Sequence, residues 1–232
     1  MSYRLIYSEF DKPILLEEDK FTILKIEDKE IYYKFLKDLY SQYNRGGECF
    51  NLSKNNKSLK LEKESLWINN LFDLEVNSRT RLRKLYTELE QNINRTELNE
   101  KVLNLWLKIE ELINTYIVLE GNLESKDEFI GIASILELMG VQFYDDFDEP
   151  LIDRLENFMI LNRDYSNINL FVLNNASSVL SIEEVQELQM FSRREDICIL
   201  YLDAEFNFNT LGNGYRGLIV DEDLCYIEIT EP

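Results

Sequence analysis

Two continuous apolar runs, INLFVL at residues 168–173 and ICILYL at 197–202, constrain this chain more than any other feature. A strand with one face in water alternates polar and apolar side chains, whereas a strand apolar throughout has to be covered on both faces. Between the runs, Ser181 and Glu184 form a capping box ahead of the helical segment IEEVQELQMFS. Strand, helix and strand in that order make a βαβ unit, whose two strands are parallel and whose crossover is right-handed. The chain therefore contains a parallel sheet buried between helices.

Elements of the same kind lie at both ends of the chain. YRLIYSEF (3–10) and FTILKIE (21–27) read as short strands, and DKEIYYKFLKDLYSQYN places Ile31, Phe35, Leu36 and Leu39 at helical spacing before Arg45-Gly46-Gly47 stops it. NLSKNNKSLKLEKES is a polar, Lys-rich loop or exposed ribbon, and LWINNLFDLEV reads as a strand. Further on come a strand at VQFY (141–144), a helix that Pro150 opens at its first turn, and an edge strand at LCYIEI. From Asn77 the period changes. Leu82, Leu85, Tyr86, Leu89 and Ile93 form one helical stripe, and Leu98, Val102, Leu105, Trp106, Ile109, Leu112, Ile113 and Tyr116 form a longer one. A capping box at Ser125–Glu128 opens a third helix that turns Ile132, Ile135, Leu136 and Met139 inward and stops at Gly140. Residues 78–140 read as wholly helical. The predicted organisation is a discontinuous α/β head domain, 1–76 with 141–232, interrupted by an all-helical domain at 77–140. With 232 residues the chain buries roughly 70–75% of its unfolded surface, enough for this plan.

Composition removes several kinds of chemistry. Histidine is absent, which takes away the usual general base and the commonest metal ligand. Cys49, Cys198 and Cys225 are far apart and odd in number, so neither a disulfide framework nor a zinc site is expected. No leader and no apolar run of about 18 residues is found, so a cytoplasmic protein without a membrane span is expected. Asp and Glu number 44 against 25 Lys and Arg, a formal charge of −19. Any contact with nucleic acid then has to come from a local patch, because the long-range field repels phosphate.

Parallel sheets bind ligands at the carboxyl ends of their strands, where ICILYLDAE brings Asp203 and Glu205. An apolar strand ending in an acid is the Mg²⁺-holding strand of P-loop hydrolases or an acid that caps a turn. The phosphate loop that would decide for hydrolysis is missing: none of the eight glycines starts a G-x-x-x-x-G-K-[ST] motif, and Glu27 and Asp28 stand where phosphate would need donors. The acids Glu120, Glu124, Asp127 and Glu128 are either oxygen ligands for Ca²⁺ or a solvated helix start that complements the macrodipole. Two basic stretches stand out. Lys54, Lys57, Lys60 and Lys63 recur at every third residue, and Arg79, Arg81, Arg83 and Lys84 crowd the start of a helix, where positive charge opposes the dipole by about 0.3–1 kcal/mol each. They pair with carboxylates such as Asp73, Glu75 and Glu88, contact another subunit, or contact phosphate. No helix-turn-helix, zinc finger or aromatic-and-basic platform is recognisable, so a nucleic-acid binder of this kind reads no sequence.

The order of elements, together with LEVNSRTRLRKLYTELEQ, ILELMGVQF, PLIDRLENFMIL, INLFVLNNASSVLSIEEVQELQMF and ILYLDAEF, resembles the Csn-two family of type II-A CRISPR accessory proteins. The resemblance implies a degenerate P-loop-ATPase-like α/β head with a mostly parallel sheet and an inserted helical leg. It also implies no catalysis and no nucleotide. It further implies a homotetrameric ring that threads double-stranded DNA ends through a basic hole, needs Ca²⁺, and serves spacer acquisition beside the adaptation integrase and the effector nuclease. EGNLESKDE resembles the family's acidic stretch, which makes Glu120, Glu124, Asp127 and Glu128 the candidate Ca²⁺ ligands. KLEKES lies in a segment that is Lys-rich in the resemblance, which favours Lys57, Lys60 and Lys63 for DNA. A nucleotide- or metal-dependent enzyme using Asp203 and Glu205, and a protein-only scaffold, are the alternatives.

Overall fold

The two apolar runs lie side by side in parallel, Val172 opposite Leu200 and Leu173 opposite Tyr201, as their continuous hydrophobicity requires. The computed structural model describes residues 2–17, 21–120, 129–208 and 214–230. In chain order its elements are β1 (Ser2–Tyr7), β2 (Ile14–Glu17), β3 (Phe21–Ile26), α1 (Lys29–Arg45), β4 (Phe50–Lys54), β5 (Lys57–Leu59), α2 (Leu61–Glu64), β6 (Ser65–Ile68), α3 (Arg79–Asn94), α4 (Leu98–Glu120), α5 (Ile132–Leu138), α6 (Leu151–Ser166), β7 (Leu170–Asn174), α7 (Ile182–Arg194), β8 (Cys198–Asp203), β9 (Tyr215–Val220) and β10 (Tyr226–Thr230). They divide into two compact units, Met1–Glu75 with Asp145–Pro232, and Val76–Tyr144.

The first unit holds a mixed, mostly parallel sheet in the order β10-β9-β3-β8-β7-β6. Only β10, at the edge, runs antiparallel to its neighbour. Every residue of β8 is buried, which places it at the centre of the core. A second sheet, antiparallel and ordered β2-β1-β4-β5, alternates buried and exposed residues along β1. Its buried side chains meet α1 in an aromatic cluster: the Tyr7 ring stacks on Phe50 at 4.7 Å and meets Phe35 edge-on at 4.9 Å. The Tyr7 hydroxyl donates to Asp38 at 2.7 Å. Burial first, and then that carboxylate, push the phenol well above its ordinary range.

The second unit is helical. α5 packs on α3, where the Tyr86 hydroxyl donates to the Val141 carbonyl at 2.8 Å and Glu90 accepts from the Ala133 N–H at 3.2 Å. Trp106 of α4 meets Phe129 edge-on at 5.8 Å.

Several sequence expectations are corrected. VQFY is not a strand: Phe143 exchanges both its backbone hydrogen bonds with the Asn77 side chain, at 2.9 and 3.1 Å, so one amide stands where a neighbouring strand would be. LWINNLFDLEV is a strand only to Ile68, after which Asn70 accepts from the Phe72 N–H and turns the chain. Phe129–Gly131 interrupt the helical stretch, and α5 starts after Gly131 at φ +81°; the expected capping box at Ser125–Glu128 lies outside the described residues. The Lys-rich ribbon is a β4–β5 hairpin whose Asn55 and Asn56 take φ of 51° and 61°, the left-handed pair that asparagine tolerates in a two-residue turn. β2 and β9 were not expected.

Candidate functional site

The strand order places a switch point beside β3, because β8 lies on one side of it and β9, which follows β8 in the chain, on the other. At the carboxyl ends of β3, β7 and β8 a crevice of about 910 Å³ opens, with Lys29, Tyr32, Asn174, Ser177, Asp203 and Glu205 among its lining residues. Asn174 and Asp203 end β7 and β8, and the others come from the turn or helix start that follows a parallel strand. Asp203 is 1% exposed and is fully engaged: the Ser177 hydroxyl donates to its Oδ2, and the Glu205 N–H donates to Oδ1 at 2.8 Å. Of the two sequence readings of this acid, the geometry favours the turn cap. Glu205 itself is exposed at the mouth. The Tyr32 hydroxyl donates to Asn174 Oδ1 at 2.7 Å, and Asn174 Nδ2 donates to Asn69 Oδ1 at 2.8 Å. Burial, and then the Asp203 charge, push the Tyr32 phenol up from 10.0 to about 12.

A phosphate in such a crevice would take the free N–H groups at the start of α1. Two of those groups are already occupied. Asp28 is the N-cap, and its Oδ1 accepts from the Glu30 and Ile31 N–H groups at 2.9 and 2.8 Å. The chain's own carboxylate fills the anion position at that helix start.

The eight basic candidates divide by environment. In the first unit, Lys57, Lys60 and Lys63 are exposed along β5 and α2 and make no ion pair among the described residues. Lys54 differs from them: its ammonium donates to the Tyr3 hydroxyl at 3.2 Å and sits 4.3 Å from the Tyr3 ring centre, so it is half-buried packing. In the second unit, Arg79, Arg83 and Lys84 are exposed and are not ion-paired among the described residues. Arg81 is corrected from surface contact to internal fastening. It is 6% exposed, and its Nε donates to the Val76 carbonyl at 2.8 Å. This explains one cation of the crowded helix start without phosphate. Nothing in the sequence separates Arg81 from Arg79 and Arg83 except helical phase.

Of the Ca²⁺ candidates, Glu124, Asp127 and Glu128 lie outside the described residues, as does the side chain of Glu120. Among the described residues no group of three or more Cys, Asp or Glu side chains is placed to hold a metal ion. No helix among them is long and apolar enough to cross a membrane.

A family model described as CRISPR-associated protein (Cas_Csn2) matches residues 42–224. The crystal structure of Stu0660 of Streptococcus thermophilus is similar over 100% of this chain and 77% of that one, with a TM-score of 0.60 and 14% identity. The ADP conformation of MJ1267, an ATP-binding cassette of an ABC transporter, covers 94% of this chain and 87% of that one, with a TM-score of 0.46 and 11% identity. No curated protein matches.

Proposed function

The chain belongs to the Cas_Csn2 family of CRISPR-associated proteins, and from that membership we propose that it is a non-enzymatic, ring-forming protein that binds double-stranded DNA ends without sequence specificity. In this reading it assists spacer acquisition in type II-A CRISPR immunity, in the cytoplasm, beside the adaptation integrase and the effector nuclease. One observation carries the DNA contact: Lys57, Lys60 and Lys63 stand exposed, with no ion pair among the described residues, on one hairpin-and-turn segment of a chain whose net charge is −19. A lysine already neutralised by a carboxylate releases little counterion from DNA, whereas an unpaired one releases about one ion per phosphate it meets. A closed homotetramer repeats such a patch fourfold, and inward-facing patches sum while the acidic exterior repels duplex elsewhere. The sequence carries no recognisable helix-turn-helix or zinc finger, which fits binding indifferent to sequence.

The chemistry of the crevice supports a non-catalytic head. Asp28 occupies the helix start that would bind phosphate, and Asp203 is held by Ser177 and the Glu205 backbone. Ca²⁺ enters the proposal at Glu120, Glu124, Asp127 and Glu128, oxygen donors of the kind this ion takes. Its role there is to neutralise clustered acid in the assembled form, and no step of DNA binding runs through it.

A mobility shift at low salt with Ca²⁺ tests the reading. Linear duplexes of unrelated sequence should shift alike, and closed circles of the same composition should not, since a ring has to be threaded. Absence of any shift with linear duplex refutes it.

A further inference from the structure

The outer face of α1 carries a surface that the proposed duplex contact does not use. Its inner face buries Phe35 and Leu39 against the sheets. On the opposite side, Lys29, which also lines the edge of the crevice, Tyr33, Lys37 and Tyr40 follow at spacings of four, four and three residues, which gathers them within about 80° of the helix circumference. Tyr33 is 68% exposed and Tyr40 48% exposed, both large values for aromatic rings. Arg45, in the last turn, lies over the Tyr40 ring at 5.6 Å, and Trp67 meets that ring edge-on at 6.3 Å, so Tyr40 is braced from behind. Lys29, Lys37 and Arg45 make no ion pair among the described residues. The acids of the helix fall outside the stripe: Asp38 accepts from Tyr7 on the buried side, and Glu30 stands on the flank. Lys29, Tyr33, Lys37 and Tyr40 thus alternate cations with aromatic rings along a strip that the exposed Glu30 borders.

We propose that this face binds single-stranded DNA, the unpaired overhang of a duplex end, by stacking bases on Tyr33 and Tyr40 while Lys29, Lys37 and Arg45 hold its phosphates. A closed duplex offers phosphates but no free base faces, so exposed rings add affinity only where bases are unstacked. The two tyrosines stand seven residues apart, roughly 10 Å along the axis. That spacing corresponds to about three base steps of ~3.4 Å, which lets one strand reach both rings. The proposal rests on the duplex-end reading for the identity of the polymer, and it adds the form of the end that is preferred.

Fluorescence anisotropy on the full chain separates the two. The probes are a blunt duplex, the same duplex with a ten-nucleotide thymidine overhang, and the thymidine strand alone. The overhang should tighten binding about ten-fold, within what stacking on two rings supplies. Y33A/Y40A, both on an exposed helix face, should remove that gain and leave blunt-end binding unchanged. Blunt binding with no overhang gain, or a gain that survives Y33A/Y40A, overturns this inference and leaves the duplex-end reading standing. Tyrosine-dependent binding of the thymidine strand with no blunt-end binding does the opposite: it upholds the stacking face and overturns the duplex-end reading. Binding to none of the probes overturns both.

Discussion

Replacing Lys57, Lys60 and Lys63 together by Gln should change the salt dependence of DNA binding more than any other surface substitution in the first unit. All three are exposed and lack ion pairs among the described residues, so the substitution leaves no carboxylate stranded and removes only charge. Each lysine that neutralises one phosphate contributes about 0.9 to the slope of log K against log salt, so the triple variant should lose roughly 2.7 for each protomer engaged. Over a fourfold rise in salt, that difference makes the wild type lose about 40-fold more affinity than the variant. Anisotropy titrations of a blunt duplex across a salt series read the slope directly, with circular dichroism confirming that the fold is retained. Lys54→Gln is the internal comparison. Its ammonium is spent on the Tyr3 ring and hydroxyl, so it should cost about 0.5–1 kcal/mol of stability with little change of slope. An unchanged slope in the triple variant refutes the assignment of these lysines to phosphate.

Three further outcomes follow from single environments. Arg81→Gln should destabilise the second unit by about 1–3 kcal/mol in a denaturant titration, because the Val76 carbonyl loses its buried donor; Arg83→Gln, exposed two residues on, should stay within about 0.5 kcal/mol. The Tyr32 phenol is raised by burial and by Asp203, so its contribution to stability is fully present below 10.0, where the unfolded phenol ionises, and is lost as pH climbs through about 12. Alkaline unfolding followed by tyrosinate absorbance should therefore set in above that lower value and be shallower in Tyr32→Phe. Chelation of Ca²⁺ should reduce the sedimenting species from tetramer to smaller forms, and Gln at Glu120, Glu124, Asp127 and Glu128 should do the same without chelator; a tetramer that persists in both rejects those ligands.

The parts of the fold that depend on local pattern were legible in the sequence. β7, α7 and β8 are adjacent in the chain, their apolar runs are unbroken, and the capping box of Ser181 and Glu184 closes as the spacing requires. β9 was hidden because YRGLIV carries Gly217 in mid-strand. That glycine reflects a tertiary demand: a Cβ there would stand 2.6 Å from the Phe208 ring and 3.0 Å from Ile229. VQFY failed as a strand for the converse reason, since its alternation is local but its partner is the amide of Asn77, far away in sequence. At the site, composition showed that the cations are anomalous and could not divide them. Lys54 and Arg81 look like their neighbours until Tyr3 and Val76 are brought beside them. The stripe on α1 was present as a four-four-three spacing, but it becomes a surface only once Phe35 and Leu39 show which side faces inward.

The carboxylate of Asp28 has a consequence for how this fold answers to the cell. A protein whose helix start waits for a nucleotide is stabilised by mass action, and its folded population tracks the concentration of that metabolite. Here the anion is tethered to the chain at the position it fills, so its local concentration is constant. If the head takes no nucleotide, as we propose, its folded population does not track one, which suits the proposed role at DNA ends.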